Sequence, residues 1–339
     1  MKLSLEQIKK VTNGVARVEE KDGLIVLSRF TEKQQKLYES VSEDFYKKTY
    51  CTAGVNLRFK TNSENLKLEF LLEWFCSRRY FAVEILVDGK VHTVYKNYQK
   101  EDMVGVYTTK IYEFSKNNEI LCQLGKGEKE IEIILPWNFN LKIKGVYLDD
   151  GASLEAIKRP KTWLIYGDSI TQGYDAILPE NRYAYRVCKH FNAEELNKAI
   201  GGEIAREELG ALKDEISPEV ITIAYGTNDW GRGELSENFY REYVGLLKNL
   251  KKNYPNTKIF AITPIWRLIY KEERPFGDFE LIAKLIKKAV EEVGGINYIY
   301  GFDLVPKEKE YFGDLALHPS DEGFIHYANN LISEIEKYL

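Results

Sequence analysis

The stretch Trp163-Leu-Ile-Tyr-Gly-Asp-Ser-Ile-Thr-Gln-Gly173 is the most informative part of this chain. Its apolar residues end abruptly at Gly167-Asp168-Ser169, and a polar segment with a second glycine follows. A buried strand that ends in this way places a serine at the edge of a sheet, where a hydroxyl group can act as a nucleophile. Gly, Asp and Ser also form ordinary turns, so this stretch alone leaves both interpretations open.

Downstream of this stretch, apolar runs typical of strands alternate with amphipathic runs typical of helices. Strands that alternate with helices build βαβ units, so we expect a parallel sheet with helices on both faces. Ser217-Pro218 and Tyr254-Pro255 mark two joins between a helix and the next strand. The predicted strands are 162–166, 194–200, 219–225, 257–263 and 296–302, and the predicted helices are 182–191, 203–213, 236–253, 278–293 and 321–338.

The first 150 residues have a different pattern, in which short apolar runs are separated by polar turns. Asp88-Gly89 between two such runs predicts a β-hairpin, because both positions tolerate a positive φ. Many short strands indicate a β-sandwich or jelly roll. The predicted strands are 23–28, 54–59, 66–72, 80–87, 90–95 and 129–135.

The chain has 339 residues, which exceeds the usual size of a domain with a single hydrophobic core, so we expect two domains. We predict a β-sandwich or jelly-roll domain over residues 1–152 and an α/β domain over residues 161–339. The segment from Gly151 to Pro160 is the predicted hinge between them.

Composition excludes several classes of function. The net charge is −4 and the lysines and arginines are dispersed, so nucleic acid is not an expected partner. No apolar run reaches the length of a membrane span, and the first residues lack the pattern of a signal peptide. The four cysteines are widely spaced and lack metal-ligand pairing, which is typical of reduced core residues in a cytoplasmic protein. Oligomeric state is left open by the sequence.

Two further motifs follow other predicted strands. Asn228, in Gly226-Thr-Asn-Asp229, comes directly after an apolar run, and an asparagine amide there can donate to an oxyanion. Gly201-Gly202 precedes a predicted helix, where a free backbone N–H group can also bind an anion. Taken alone, the asparagine motif is more commonly a turn or a helix cap, and an isolated Gly-Gly indicates only a tight turn.

The loop before the last predicted helix carries the fourth motif. His318 is held in this loop by Pro319, which cannot lie inside the helix. Imidazole changes charge near neutral pH and is suited to accept a serine proton. A single loop histidine is more often an exposed spectator, so its interpretation depends on the other motifs.

Taken together and in this order, these motifs resemble the SGNH hydrolases, also called the GDSL family. The resemblance covers residues 161–339 and implies a flavodoxin-like, three-layer α/β/α domain with a five-stranded parallel sheet. It implies Ser169 as the nucleophile, His318 as the general base, and an oxyanion hole formed by the Ser169 N–H, the Gly202 N–H and the Asn228 side chain. Gly202 is preferred to Gly201 because the family's glycine stands five residues after an asparagine, here Asn197. The resemblance implies neither a metal ion nor an organic cofactor.

One feature departs from the family pattern. The family generally places an aspartate three residues before the histidine, and Leu315 occupies that position. Asp314 stands four residues before His318, so a bulged turn would be needed to bring it to the imidazole. The alternative is a Ser-His dyad whose histidine is oriented by a main-chain carbonyl group.

The expected substrate follows from architecture. A β-sandwich ahead of such a domain is similar to the arrangement in family 2 carbohydrate esterases, which implies hydrolysis of short acyl esters, above all acetyl esters, of small carbohydrates or oligosaccharides. Tyr174, Trp230 and Trp266 are candidates to stack on sugar rings, or are simply packing residues. The sandwich is expected to narrow the cleft, with a sugar-binding module as the alternative. Two other functions stay open: a broader lipid, aryl or thioester acylhydrolase, and a non-catalytic carbohydrate-binding protein.

Overall fold

The structure is a computed structural model that describes residues 1–99, 103 and 112–339. Three sheets organise this part of the chain, two of them antiparallel and one entirely parallel. The strands are β1 (Thr12–Asn13), β2 (Arg17–Lys21), β3 (Leu24–Ser28), β4 (Asn56–Thr61), β5 (Asn65–Trp74), β6 (Ala82–Val87), β7 (Lys90–Lys96), β8 (Asn117–Gln123), β9 (Lys129–Ile134), β10 (Phe139–Leu148), β11 (Glu155–Ala156), β12 (Lys161–Gly167), β13 (Ala193–Asn197), β14 (Val220–Ala224), β15 (Lys258–Ile262) and β16 (Asn297–Ile299).

The α-helices of the described residues lie mainly in the second half of the chain. None of them combines the length and the apolar character that a membrane-spanning helix needs. They are α1 (Leu5–Val11), α2 (Glu32–Val41), α3 (Glu43–Lys48), α4 (Ser169–Gln172), α5 (Tyr183–His190), α6 (Glu207–Ala211), α7 (Thr227–Gly231), α8 (Ser236–Asn253), α9 (Phe279–Val293) and α10 (Asp321–Glu336).

The two antiparallel sheets face each other as a sandwich. One has the order β2-β3-β10-β5-β8 and the other β1-β4-β9-β6-β7, with β11 paired to β4. A single hydrophobic cluster contains Leu68 and Phe70 of the first sheet together with Ile131 and Ile133 of the second. The predicted hairpin is confirmed: β6 and β7 pair antiparallel across Asp88-Gly89, and both turn residues have a positive φ.

The sandwich carries a helical excursion that the sequence reasoning missed. Helices α2 and α3 follow β3 in the chain, and their residues Tyr38 and Phe45 belong to a hydrophobic cluster of the α/β domain. A capping box starts α2, because the side chain of Thr31 accepts from the Gln34 N–H and the side chain of Gln34 accepts from the Thr31 N–H. The Thr-x-x-Gln spacing was the available signal for this helix.

The parallel sheet has the order β13-β12-β14-β15-β16, which is the predicted flavodoxin-like arrangement. Helices α6, α8 and α9 pack together on one face, and α5 and α10 pack together on the other. In this order β12 and β14 are neighbours at the centre of the sheet. The residues that follow their carboxyl ends, Ser169 and Asn228, are therefore brought to the same edge.

Buried charged groups join the sandwich to the α/β domain. Arg29 is fully buried and donates to the carbonyl oxygens of Asn197 and Ala199. On β4, Arg58 pairs with Glu194 at 2.5 Å. Part of the predicted hinge segment is also ordered against the sandwich, because its strand β11 pairs with β4. An unpaired buried charge is costly, so the contacts of Arg29 and Arg58 fix how the two parts dock.

A buried carboxyl group at the same interface gives a pH-dependent prediction. Glu84 of β6 accepts the N–H of Glu180 at 2.8 Å, and burial raises the pKa of Glu84 from 4.5 to about 8. Within that pH range the folded protein holds a proton that the unfolded chain has released, so stability falls as the pH rises. Relative to wild type, Glu84→Gln should gain on the order of 3 kcal/mol in free energy of unfolding between pH 5 and pH 9.

Denaturant unfolding at pH 5, 7 and 9 measures this effect. Glu130→Gln, an exposed position on β9 of the same sheet, is the matched control and should follow the wild-type pH dependence. A difference between Glu84→Gln and wild type that is the same at pH 5 and pH 9 would contradict the prediction.

Candidate active site

The serine of the opening motif lies at the first turn of α4. Asp168 is the N-cap of this short helix and accepts the Ile170 N–H at 2.9 Å, so it braces the turn beside Ser169. Gly167 has no room for a side chain, because a Cβ atom there would lie 2.2 Å from the hydroxyl oxygen of Thr171. Gly173 ends the helix with a φ of 115°. The glycines of the motif thus make the sharp exit from β12 possible.

Ser169, His318 and Asp314 form one chain of hydrogen bonds. The Oγ of Ser169 lies 2.8 Å from Nε2 of His318, and Nδ1 of the same ring lies 2.7 Å from Oδ2 of Asp314. Burial alone would raise the pKa of Asp314, but the hydrogen bond and charge of His318 lower it well below the ordinary value. Asp314 is therefore a carboxylate at neutral pH and can orient the imidazole.

The extra residue between Asp314 and His318 is absorbed by the backbone of the loop. Leu315 has a φ of 58°, a left-handed conformation that is rare for a leucine. Oδ1 of Asp314 accepts the N–H groups of Ala316, Leu317 and His318 at 3.0, 2.7 and 3.1 Å. The bulged turn that the departure from the family spacing required is present, and a carboxylate rather than a main-chain carbonyl group faces Nδ1.

Three donors converge on the same edge of the sheet. The N–H groups of Ser169 and Gly202 have no hydrogen-bond acceptor in the described part of the chain. The N–H of Gly201 instead donates to Oε1 of Gln172 at 2.7 Å, which leaves Gly202 as the available glycine. Nδ2 of Asn228 donates one hydrogen bond to the carbonyl oxygen of Glu203 at 2.9 Å, and its second N–H is available for an oxyanion.

The sequence that forms this site matches a known protein family. Residues 165–324 match the GDSL-like lipase/acylhydrolase family. The second part of the chain is a GDSL-like hydrolase domain. The protein is accordingly a carboxylic ester hydrolase, and its GDSL-like domain contains all the residues predicted for the nucleophile, the base and the oxyanion hole.

Solved structures share the fold of the whole chain, the sandwich included. A salicylyl-acyltransferase, SsfX3, from a tetracycline biosynthetic pathway superposes with a TM-score of 0.79 at 18% identity, covering 96% of this chain and 94% of its own. A GDSL-like lipase of Bacteroides ovatus gives 0.76 at 18% identity, with 99% and 97% covered. A family two carbohydrate esterase from Cellvibrio japonicus gives 0.69 at 14% identity, with 99% and 97% covered. No curated protein matches this chain.

The three aromatic candidates, for which the sequence left sugar stacking and packing open, are all buried. Tyr174 is buried and its ring stacks on the imidazole of His318, with the ring centres 5.3 Å apart. Trp230 is fully buried and donates its indole N–H to the carbonyl oxygen of Gly277, which favours the packing role that the sequence left open. Trp266 is also buried and packs on Phe312. Their contacts favour a role in packing for all three rings.

A second carboxylate, that of Asp175, lies beside the histidine and was not among the site residues predicted from the sequence. Oδ2 of Asp175 lies 3.9 Å from Nδ1 of His318, and Arg78 of the sandwich holds this carboxylate with two hydrogen bonds of 2.6 and 3.2 Å. The two residues are far apart in the chain, and no local pattern signals their pairing.

Asp175, Asp314 and His318 also form the one group of potential metal ligands found among the described residues. The guanidinium group of Arg78 is bound to Asp175, and Nδ1 of His318 already faces Asp314 at 2.7 Å. A cation would have to compete with a guanidinium group that is part of the fold, so these residues do not fit a metal site.

Proposed function

We propose that this protein is a serine esterase that removes short acyl groups, above all acetyl groups, from carbohydrates. The observation that carries the proposal is the hydrogen-bonded chain of Ser169, His318 and Asp314 beside free oxyanion donors. A serine within 2.8 Å of a histidine that a carboxylate orients is the arrangement that nucleophilic acyl transfer requires.

The reaction follows from these contacts. His318 takes the proton from Ser169 as the Oγ atom attacks the ester carbonyl carbon, and Asp314 stabilises the imidazolium that forms. The negative charge on the carbonyl oxygen is held by the N–H groups of Ser169 and Gly202 and by Nδ2 of Asn228. His318 then gives its proton to the departing alcohol. Water attacks the acyl-enzyme by the reverse sequence of proton transfers and releases the acid.

The preference for a short acyl group is supported by the surroundings of Gly202. A Cβ atom on this glycine would lie 2.8 Å from Nη2 of Arg232 and 3.5 Å from the ring of Phe45. Phe45 belongs to α3 of the N-terminal part, so the helical excursion of the sandwich forms a wall beside the oxyanion donors. A confined space next to these donors favours a small acyl group over a long chain.

The preference for a carbohydrate is supported by architecture. The family two carbohydrate esterase from Cellvibrio japonicus shares the fold over nearly the whole of both chains. Because fold and substrate are separable, the identity of the alcohol has to be measured.

The test is an acyl-length series. We expect kcat/KM for p-nitrophenyl acetate to exceed that for the octanoate by about 10-fold or more, because the wall excludes the longer chain. Acetate release from acetylated monosaccharides and xylo-oligosaccharides measures the alcohol preference. Phe45→Ala should raise the ratio of octanoate to acetate activity, whereas Phe191→Ala, on the far side of the domain, should not.

Other outcomes identify the alternatives. A preference for octanoate in the wild type would indicate a broader lipid or aryl acylhydrolase. Binding of acetylated oligosaccharides without any hydrolysis would indicate a carbohydrate-binding protein.

A further inference from the structure

We propose that Arg78, contributed by the sandwich, is a positioning residue of the hydrolase site: its bidentate pair with Asp175 neutralises that carboxylate, so that Asp314 alone accepts the hydrogen bond from Nδ1 of His318. The proposal rests on the esterase function proposed above. It assigns the N-terminal part of the chain a role in the proton transfer itself, in addition to shaping the cleft.

The geometry of the ion pair is specific. Nε of Arg78 lies 2.6 Å from Oδ1 of Asp175 and Nη2 lies 3.2 Å from Oδ2, so the guanidinium group engages both carboxylate oxygens. The Asp175 side chain has no exposed surface and the Arg78 side chain is 6% exposed. A buried bidentate pair holds its geometry far better than an exposed pair does.

Both partners are fixed by the backbone around them. The carbonyl oxygen of Arg78 accepts from the indole N–H of Trp74 and from Nδ2 of Asn138, at 2.8 and 3.1 Å. Asp175 has a φ of 70°, a left-handed conformation that aspartate and asparagine tolerate better than most residues. The pair is therefore presented to the histidine from two anchored loops.

Each member of the pair lies close to one catalytic residue. Oδ2 of Asp175 is 3.9 Å from Nδ1 of His318, and Nη2 of Arg78 is 3.9 Å from Oδ2 of Asp314. Burial raises the pKa of Asp175, while His318 and Arg78 oppose that shift. At such distances in a buried site, one unpaired charge is enough to change the protonation of a neighbouring imidazole.

The other groups around the imidazole do not replace Arg78 as the partner of Asp175. Asp168 is buried beside the serine turn, which raises its pKa to about 6, and the charge of Arg267 interacts with both Asp168 and Asp314. Ser169 and the stacked ring of Tyr174 complete the surroundings of His318. Arg78 is thus the cation that directly contacts the second carboxylate.

Charge balance gives opposite expectations for the two single variants. Arg78→Gln leaves the Asp175 carboxylate unpaired beside Nδ1, which favours the imidazolium and moves the acidic limb of the pH–rate profile up by roughly one pH unit. Asp175→Asn leaves the guanidinium group unpaired, which favours the neutral imidazole and moves the limb down. The double variant Arg78→Gln/Asp175→Asn removes both charges and should return the limb close to its wild-type position.

A merely structural role for Arg78 predicts something else. Arg58 offers a matched control, because it pairs with Glu194 across the same two parts of the chain and its side chain is also 6% exposed. Arg58→Gln should lower the melting temperature about as much as Arg78→Gln and leave the pH–rate profile unchanged.

The experiment measures kcat/KM for a short-chain ester from pH 4 to pH 9 and the melting temperature of each variant. In parallel, NMR of ¹⁵N-histidine-labelled protein follows the titration midpoint of His318, assigned with His318→Gln. Opposite shifts in the single variants and recovery in the double variant support the proposal. Shifts that are absent, that run in the same direction, or that also occur in Arg58→Gln overturn it. The NMR titration decides the matter even if no ester is hydrolysed, so failure of the esterase function is recorded separately.

Discussion

Ser169→Ala is expected to lower kcat for ester hydrolysis by roughly 10⁴- to 10⁶-fold, with little change in the stability of the fold. The variant removes the Oγ atom that lies 2.8 Å from Nε2 of His318 and leaves the oxyanion donors in place. Because those donors still bind a polarised carbonyl group, a small residual rate over the uncatalysed reaction should remain. Initial rates with p-nitrophenyl acetate, followed together with the melting temperature, measure the loss.

Covalent labelling provides an independent readout of the same residue. A fluorophosphonate should modify the wild type at Ser169, as located by peptide mass spectrometry, and should not modify Ser169→Ala. Ser333→Ala, an exposed serine on α10, is the matched control and should keep both the activity and the label. Wild-type activity in Ser169→Ala would exclude Ser169 as the nucleophile.

Asp314→Asn is expected to lower kcat by about 10³- to 10⁴-fold. The amide oxygen can still accept the backbone N–H groups of Ala316, Leu317 and His318, so the loop keeps its shape. The amide nitrogen, however, would face Nδ1, and this donor favours the imidazole tautomer that cannot accept the serine proton. Asp314→Ala removes the loop contacts as well and should also lower the melting temperature.

Comparison of these two variants separates catalysis from loop stability. Asp303→Asn, in an exposed pair with Lys307, controls for the loss of one negative charge and should retain full activity. Activity of Asp314→Asn within 10-fold of the wild type would indicate a Ser-His dyad in which Asp314 serves only the loop.

The parallel sheet could be predicted from the sequence because its signals are local. Strands β12, β14 and β15 are largely apolar runs, as strands buried on both faces must be, whereas β13 contains two glutamates. The predicted strand 162–166 is observed as Lys161–Gly167, and the predicted helix 236–253 as Ser236–Asn253. Motifs at strand ends then locate Ser169 and Asn228, since the order of the strands brings those ends together.

Elements that depend on tertiary contacts could not be predicted in the same way. Strand β10 is a different case, because apolar and polar side chains alternate over its first six residues and this local signal of a strand was overlooked. Burial of Trp230 is set by residues distant in sequence, so its side chain could not be told from one that faces the cleft. The left-handed Leu315 likewise has no local sequence signal, because leucine does not favour that conformation.

The buried arginines that join the sandwich to the hydrolase domain bear on how such a protein can change in evolution. Arg29, Arg58 and Arg78 each reach acceptors that lie beyond residue 160. Recombination that exchanged the N-terminal part for one from a distant relative would leave several buried charges without partners, at a cost of about 3–5 kcal/mol for each broken pair. The two parts are therefore constrained to be inherited together, and substitutions at one arginine are tolerated only with a compensating substitution at its acceptor.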